Sequence, residues 1–167
     1  SQGENISEQA LAEEANALLK ELETRAKEQP DAYKKPVYVG IYSVGVKQRS
    51  PSGKEIEELP HLPDSCPNEY VAARMVYPAD LLAKNISGYA LCEFTIDKEG
   101  VILRPHILKS THPEFAEEAL RIVKEMPKWT PALVGGKPAD STYTLYVPFR
   151  PRLYKEQVRE RGLSKKD

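Results

Sequence analysis

Ser110, His112 and Glu114 fall within five residues and together offer the side chains of a nucleophile, a base and an acid. Their spacing does not build a triad. The base of a triad must be oriented by a third group, and no G-x-S-x-G elbow lifts a serine here. Ser110 and Thr111 read better as caps for the helix that follows. A hydrolase using His106 or His112 as base finds no further support, because no glycine loop or convergent polar cluster accompanies them. His61, His106, His112, Cys66 and Cys92 show no ligand spacing, so no metal site is expected. GVKQRSPSGK (45–54) lacks the GK[ST] ending of a phosphate loop. Glu13/Glu14 and Glu117/Glu118 read as solvated helix faces. The sequence therefore predicts neither an enzyme nor a bound cofactor.

Composition narrows the class. The 167 residues predict one ordinary domain with appendages. Twenty-four Lys and Arg against 25 Asp and Glu leave no basic excess, which argues against a nucleic-acid binder. No run approaches the length of apolar residues that spans a bilayer. The chain starts at Ser1 rather than Met, as a processed or trimmed protein would. The first 30 residues carry seven acidic and three basic side chains, and the last 18 carry seven basic and three acidic. These ends read as two solvated faces, since exposed ion pairs contribute little.

The elements that must position any site follow from periodicity. Residues 7–28 repeat Leu11, Ala15, Leu18 and Leu22 at helical spacing, with Pro30 as a stop. PVYVGIYSVGV (36–46) reads as a strand or hairpin, and 49–67 as a linker dense in proline, serine and charge. Short helices are expected in NEYVAARMVYP and ADLLAKN. GYALCEFTID (88–97) alternates, with Ala90, Cys92, Phe94 and Ile96 on one face. Lys98-Glu99-Gly100 makes the turn, and VILRPHILKS (101–110) returns. Pro113 opens a helix whose stripe is Phe115, Ala119, Ile122, Val123 and Met126, and Pro127 and Pro131 prevent its extension. The stretch MPKWTPALVGGKP (126–138) is expected to be neither helix nor strand. In STYTLYVPF (141–149), Tyr143, Leu145, Val147 and Phe149 share a face.

Prolines order the sheet. Pro105 and Pro148 cannot donate to a ladder, so their strands are expected at the edges, with the proline-free 88–97 strand central. The result is an α+β two-layer sandwich: a three-stranded antiparallel sheet of order 2-1-3, with helices on the Phe94/Ile96/Leu145/Val147 face. An N-terminal helix and a short β segment precede it. Thr142, Thr144 and Tyr146 point away from the core, and no lysine blocks 141–147, so that edge is expected to accept an extended peptide by strand addition.

Tyr77-Pro78, ISGYALCEFTIDKEG (86–100), LKSTHPEFAEEALRIVKEMPKWTP (108–131), GGKP (135–138) and YTLYVPF (143–149) together resemble the C-terminal domain of TonB, in the form found in Bacteroidetes-type energy transducers. The resemblance covers about half the chain. It divides the chain into an N-terminal amphipathic helix (1–30), a short β segment and linker (31–63), the TonB-like domain (64–150) and a basic tail (151–167). Its structural positions are Tyr77, Pro78, Gly88, Gly100, Pro127, Trp129, Pro131, Gly136 and Pro138. It implies that Trp129 covers one end of the core, stiffened by the flanking prolines, and that Gly135-Gly136 allow the reversal into the last strand.

The activity the resemblance implies is mechanical. A periplasmic domain grips the extended N-terminal peptide of an outer-membrane transporter by adding it to Ser141, Thr142, Tyr143, Thr144, Leu145, Tyr146 and Val147. Proton-motive force would reach it from an inner-membrane complex through an N-terminal region outside this sequence, which contains neither the family's membrane helix nor its proline-rich spacer. The alternative is a soluble or lipid-anchored periplasmic adaptor, self-associating as a homodimer through 141–149 without energy transduction. An envelope location permits a Cys66–Cys92 disulfide, while Cys92 alone also reads as a small buried hydrophobe.

Overall fold

The computed structural model describes residues 37–41, 45–49 and 60–166, together with Glu13, Ala17, Leu18, Lys20, Glu21, Thr24 and Glu28. Those seven are helical. The rest of the expected 7–28 helix and most of the 49–67 linker lie outside the described residues.

Alternation in the sequence becomes a sheet with one apolar face. β3 (Gly88–Ile96) is the middle strand of an antiparallel block, flanked by β4 (Ile102–Ser110) and β7 (Ser141–Phe149). This is the 2-1-3 order that the prolines predict. β3 and β7 pair without interruption from Gly88↔Phe149 to Ile96↔Ser141. The turn after β3 is held by Asp97, whose Oδ1 accepts the N–H groups of Glu99 and Val101 at 2.8 and 2.9 Å.

Helices cover the Phe94/Ile96/Leu145/Val147 face. α1 (Pro67–Arg74) and α2 (Ala79–Ala83) are short, and α3 (Pro113–Lys124) is the main one. α3 buries Phe115, Ala119, Ile122 and Val123 completely. Pro113 sits in its first turn after His112, where its missing N–H is harmless. Ser110 and Thr111 do not cap it, contrary to expectation. Ser110 Oγ donates to His112 O at 3.1 Å, and Thr111 Oγ1 accepts the Tyr89 N–H at 3.0 Å, tying the helix entry to β3 instead.

Past α3 the chain does form strands, contrary to the sequence reading of 126–138. β5 (Ala132–Val134) and β6 (Lys137–Ala139) make a two-stranded hairpin. Gly135 and Gly136 form its turn at φ +60° and +74°, a backbone that glycine adopts without a Cβ penalty. Trp129 precedes it, 3% exposed, with its ring 4.9 Å from Tyr143 and 5.8 Å from Phe94. Its backbone N–H donates to Gly100 O at 2.9 Å. Gly100 stands at φ +88°, and a Cβ there would lie 1.9 Å from Trp129 O. The tryptophan thus closes the end of the core where the β3–β4 turn and the α3 exit meet. Nearby, His61 and Thr130 exchange backbone hydrogen bonds of 3.1 and 2.7 Å, which fastens the end of the linker to the domain.

The sheet is wider than three strands. β1 (Val37–Ile41) and β2 (Gly45–Arg49) form the expected hairpin, but β1 also runs parallel to β7, giving the order β2-β1-β7-β3-β4. The expectation that 141–149 forms an open edge is therefore corrected: β7 lies inside the sheet. Pro148 is compatible with this because the β1 ladder extends only from Thr142 to Leu145. The basic tail is α4 (Pro151–Lys166), which returns to α1. Arg161 donates to Met75 O at 3.1 Å and to Ala72 O.

Helical cover also reaches the other face of the sheet. Leu18 is buried, and Glu21 lies 3.7 Å from Lys109 on β4.

Candidate peptide-docking edge

β7 is the strand to which the sequence assigns docking, and its setting is unusual for a docking strand. Tyr143, Leu145, Val147 and Phe149 point into the core and are at most 1% exposed. On the opposite face, where a border strand normally meets water, Thr144 and Tyr146 are equally buried, while Thr142 is half-buried. Ser141 at the strand's start is fully buried too. Burial on both faces leaves only the in-plane border of main-chain groups for recognition.

That border is occupied in two parts. Over its first half, β1 supplies the parallel partner, in register Val37↔Thr142, Tyr38↔Tyr143, Val39↔Thr144 and Gly40↔Leu145. Over its second half, α1 and α4 stand beside the strand. Val71 from α1 and Met75 just past its end, with Leu153 and Tyr154 from α4, line an apolar recess with Tyr146 and Pro148. Arg150 donates to Gly88 O at 3.0 Å and locks the end of β7 to the start of β3.

The supports behind this wall are charged, and Glu118 among them is buried. Glu118, 8% exposed, accepts the Val76 N–H at 2.6 Å and receives Arg121 at 2.7 Å. Arg121 Nη2 donates to Arg74 O at 2.9 Å, and the Glu118 carboxylate holds its guanidinium pKa above the ordinary value. Arg121 and Arg161 thus satisfy carbonyls at the end of α1, which a short helix otherwise leaves unpaired, and Glu118 holds the N–H just beyond it. Sequence reasoning missed all three, since nothing local marks a helix-face Glu as a partner for a distant N–H.

One polar row crosses the outer face from β4 to β7. The register places His106 opposite Glu93 and Glu93 opposite Thr144. His106 Nε2 lies 3.2 Å from Glu93 Oε1, while Glu93 Oε2 and Thr144 Oγ1 are buried without a hydrogen-bond partner. The His106 ring thus packs its Nε2 against Glu93 on the outer face.

The residues first considered for catalysis do not converge. The His112 ring packs edge-on against Phe115 at 5.2 Å, and the Ser110 hydroxyl is spent on a carbonyl. Cys66 is exposed and Cys92 is buried, and both are free thiols, so the 66–92 disulfide is not formed. Burial pushes the Cys92 thiol up to about 12, which makes it inert. Among the described residues no group of His, Cys, Asp and Glu could hold a metal ion, and no helix is long and apolar enough to cross a membrane.

The other expected positions are placed as follows. Tyr77 is buried edge-on to Phe115 and Phe149, and Pro78 precedes α2. A Cβ on Gly88 would fall 2.7 Å from the Phe115 ring. Pro127 and Pro131 flank Trp129, Gly136 lies in the β5–β6 turn, and Pro138 stands exposed in β6.

The family described as Gram-negative bacterial TonB protein C-terminal matches residues 73–151. The solution NMR structure of the Pseudomonas aeruginosa TonB CTD is similar at 27% identity, covering 46% of this chain and 78% of that one, with a TM-score of 0.39. A search of curated proteins found no match. The matched segment runs from the end of α1 to the start of α4 and contains β3, β4, α3 and β7. Residues 73–151 of this chain are thus similar to the TonB C-terminal domain family.

Proposed function

We propose that this TonB-like domain, whose family serves the energy coupling of transport, binds the extended N-terminal peptide of an outer-membrane transporter by strand addition at Ser141–Val147. One observation carries the reading: the border of β7 already holds an added parallel strand, Val37–Gly40, along Thr142–Leu145. Its peptide groups are therefore straight and regular enough to form a ladder with a segment that is not its neighbour in sequence. Main-chain bonds supply the affinity in such a mode, and side chains supply only selectivity. The compartment is the periplasm, where the family works in general. Coupling to a proton-driven inner-membrane complex would run through sequence outside this chain.

The test is amide mapping by NMR with a synthetic peptide from a transporter N-terminus. Shifts concentrated in 141–147 are expected, and unchanged amides there at saturating peptide would refute the reading. Self-association through the same strand is the competing reading, and it meets the same obstruction from β1. Light scattering with and without peptide separates the two, because a dimer through β7 dissociates as peptide binds.

A further inference from the structure

We propose that the β1–β2 hairpin is a resident competitor for the β7 border, so that the docking strand is closed at rest and opens only when Val37–Arg49 lifts away. The proposal rests on the docking reading above and adds its regulation. β1 lies on the stretch to which docking is assigned, covering Thr142 to Leu145. A transporter peptide and β1 cannot both use those carbonyl and N–H groups.

The hairpin is also the part of the sheet best suited to leave. β1 holds β7 through four register pairs, whereas β3 holds β7 through nine. One of the four involves Gly40, and a glycine within a strand weakens it through backbone entropy. β1 and β2 bond to each other over five pairs, so the two can depart as a unit without opening their own ladder. Neither belongs to the segment matched by the family, which starts at residue 73, so the domain keeps β3, β4, β7 and α3 when the hairpin goes. Local opening of such a unit costs less than global unfolding. A peptide then binds with its intrinsic dissociation constant divided by the open fraction; a border closed in about 90–99% of molecules weakens apparent affinity about 10- to 100-fold.

The full chain provides the test, with a peptide of β1's own sequence, residues 35–41, as probe. This probe requires no knowledge of the natural partner. Gly40→Pro removes a ladder N–H from a strand paired on both sides, which proline does not tolerate, and so releases the hairpin. The released chain is expected to bind the probe at least about tenfold more tightly than the wild type, with shifts in 141–145. A second variant works in the opposite direction. Val39→Cys with Thr144→Cys, in a Cys66→Ser background, joins two register partners; Cys92 is buried and stays out of the exchange. Oxidised, this chain should refuse the probe, and reduction should restore the wild-type affinity. Melting curves confirm that each variant is folded. Equal affinity in the locked, wild-type and released chains overturns the competitor. If a transporter peptide nevertheless shifts 141–147 of the released chain, docking survives on its own. If the released chain takes the β1 probe but no transporter peptide, the competitor stands and the docking reading fails.

Discussion

The antiparallel block has two flanking strands, and they are built in opposite ways. Both have nine residues and both pair with β3. No residue of β4 is buried, whereas every residue of β7 except Thr142 is. β4 spans Ile102–Ser110 against Ala90–Ile96, nine residues facing seven, so two extra residues are bulged out, one near each register shift. Arg104 adopts φ +51° within one of them, just before Pro105. Bulges, a left-handed residue and a proline are the devices by which natural sheets stop unwanted pairing at a border. β7 carries no bulge against β3, and its regular border is covered over Thr142–Leu145 by the β1–β2 hairpin instead. One border is blunted permanently in its own sequence, and the other is kept regular and guarded from outside. Under the docking reading proposed above, such guarding serves a border that must sometimes pair with something else.

The contrast can be broken most severely at the core that backs β7. Trp129→Ala removes the ring that packs on Tyr143 and Phe94, and a loss of about 3–5 kcal/mol is expected in denaturant melts. The matched change on the other flank, Leu103→Ala, touches a side chain that is 37% exposed and should cost under about 1 kcal/mol. Similar costs for the two would mean that the strands are equally anchored and that the contrast is one of shape alone.

Alkaline pH should loosen the β3–β7 side by a smaller amount. Burial raises the Cys92 thiol from 9.0 to about 12, and burial, then the Cys66 charge, raises the Tyr143 hydroxyl above its ordinary 10.0. Both groups are held neutral in the fold and ionise more readily in the unfolded chain. Their contribution is therefore complete below pH 9 and is lost as pH rises from there toward 12. Melts between pH 8 and 11 should show Tm falling, and Cys92→Ala with Tyr143→Phe should flatten the slope. A slope unchanged in the double variant would place the sensitive groups elsewhere.

The smallest effect sharpens the contrast on the blunted side. Pro105→Thr restores an N–H to β4 and should change stability by less than about 1 kcal/mol, while raising concentration-dependent association seen by light scattering. If association does not increase, the bulges alone suffice to close that border.

Much of this was legible in the residues. Alternation in 88–97 and 141–149 has period two, and the 113–126 stripe has helical period, so element types followed from local spacing. Pro113 and Pro127 bounded the helix because a missing N–H is tolerated only at its start. The β5–β6 hairpin was not legible. Its two strands of three residues are too short to show alternation, and Pro131 and Pro138 suggested irregular chain. The Glu118–Arg121–Arg161 supports were also hidden, because each satisfies main-chain groups that belong to another element. Among site residues, 141–147 could be chosen from polarity and the lack of a blocking lysine, but their burial on both faces could not be read from them.

The sequence by itself determined that β3, β4 and β7 are strands and that they run in the antiparallel order β4, β3, β7. Periodicity and proline chemistry act through the nearest few residues, so they leave their mark locally. Only the tertiary structure decided that the β7 border is covered. A parallel ladder between Val37–Gly40 and Thr142–Leu145 is made of main-chain bonds between distant segments. Any strand-forming sequence with the right geometry could supply those bonds, so no side-chain pattern records which one does.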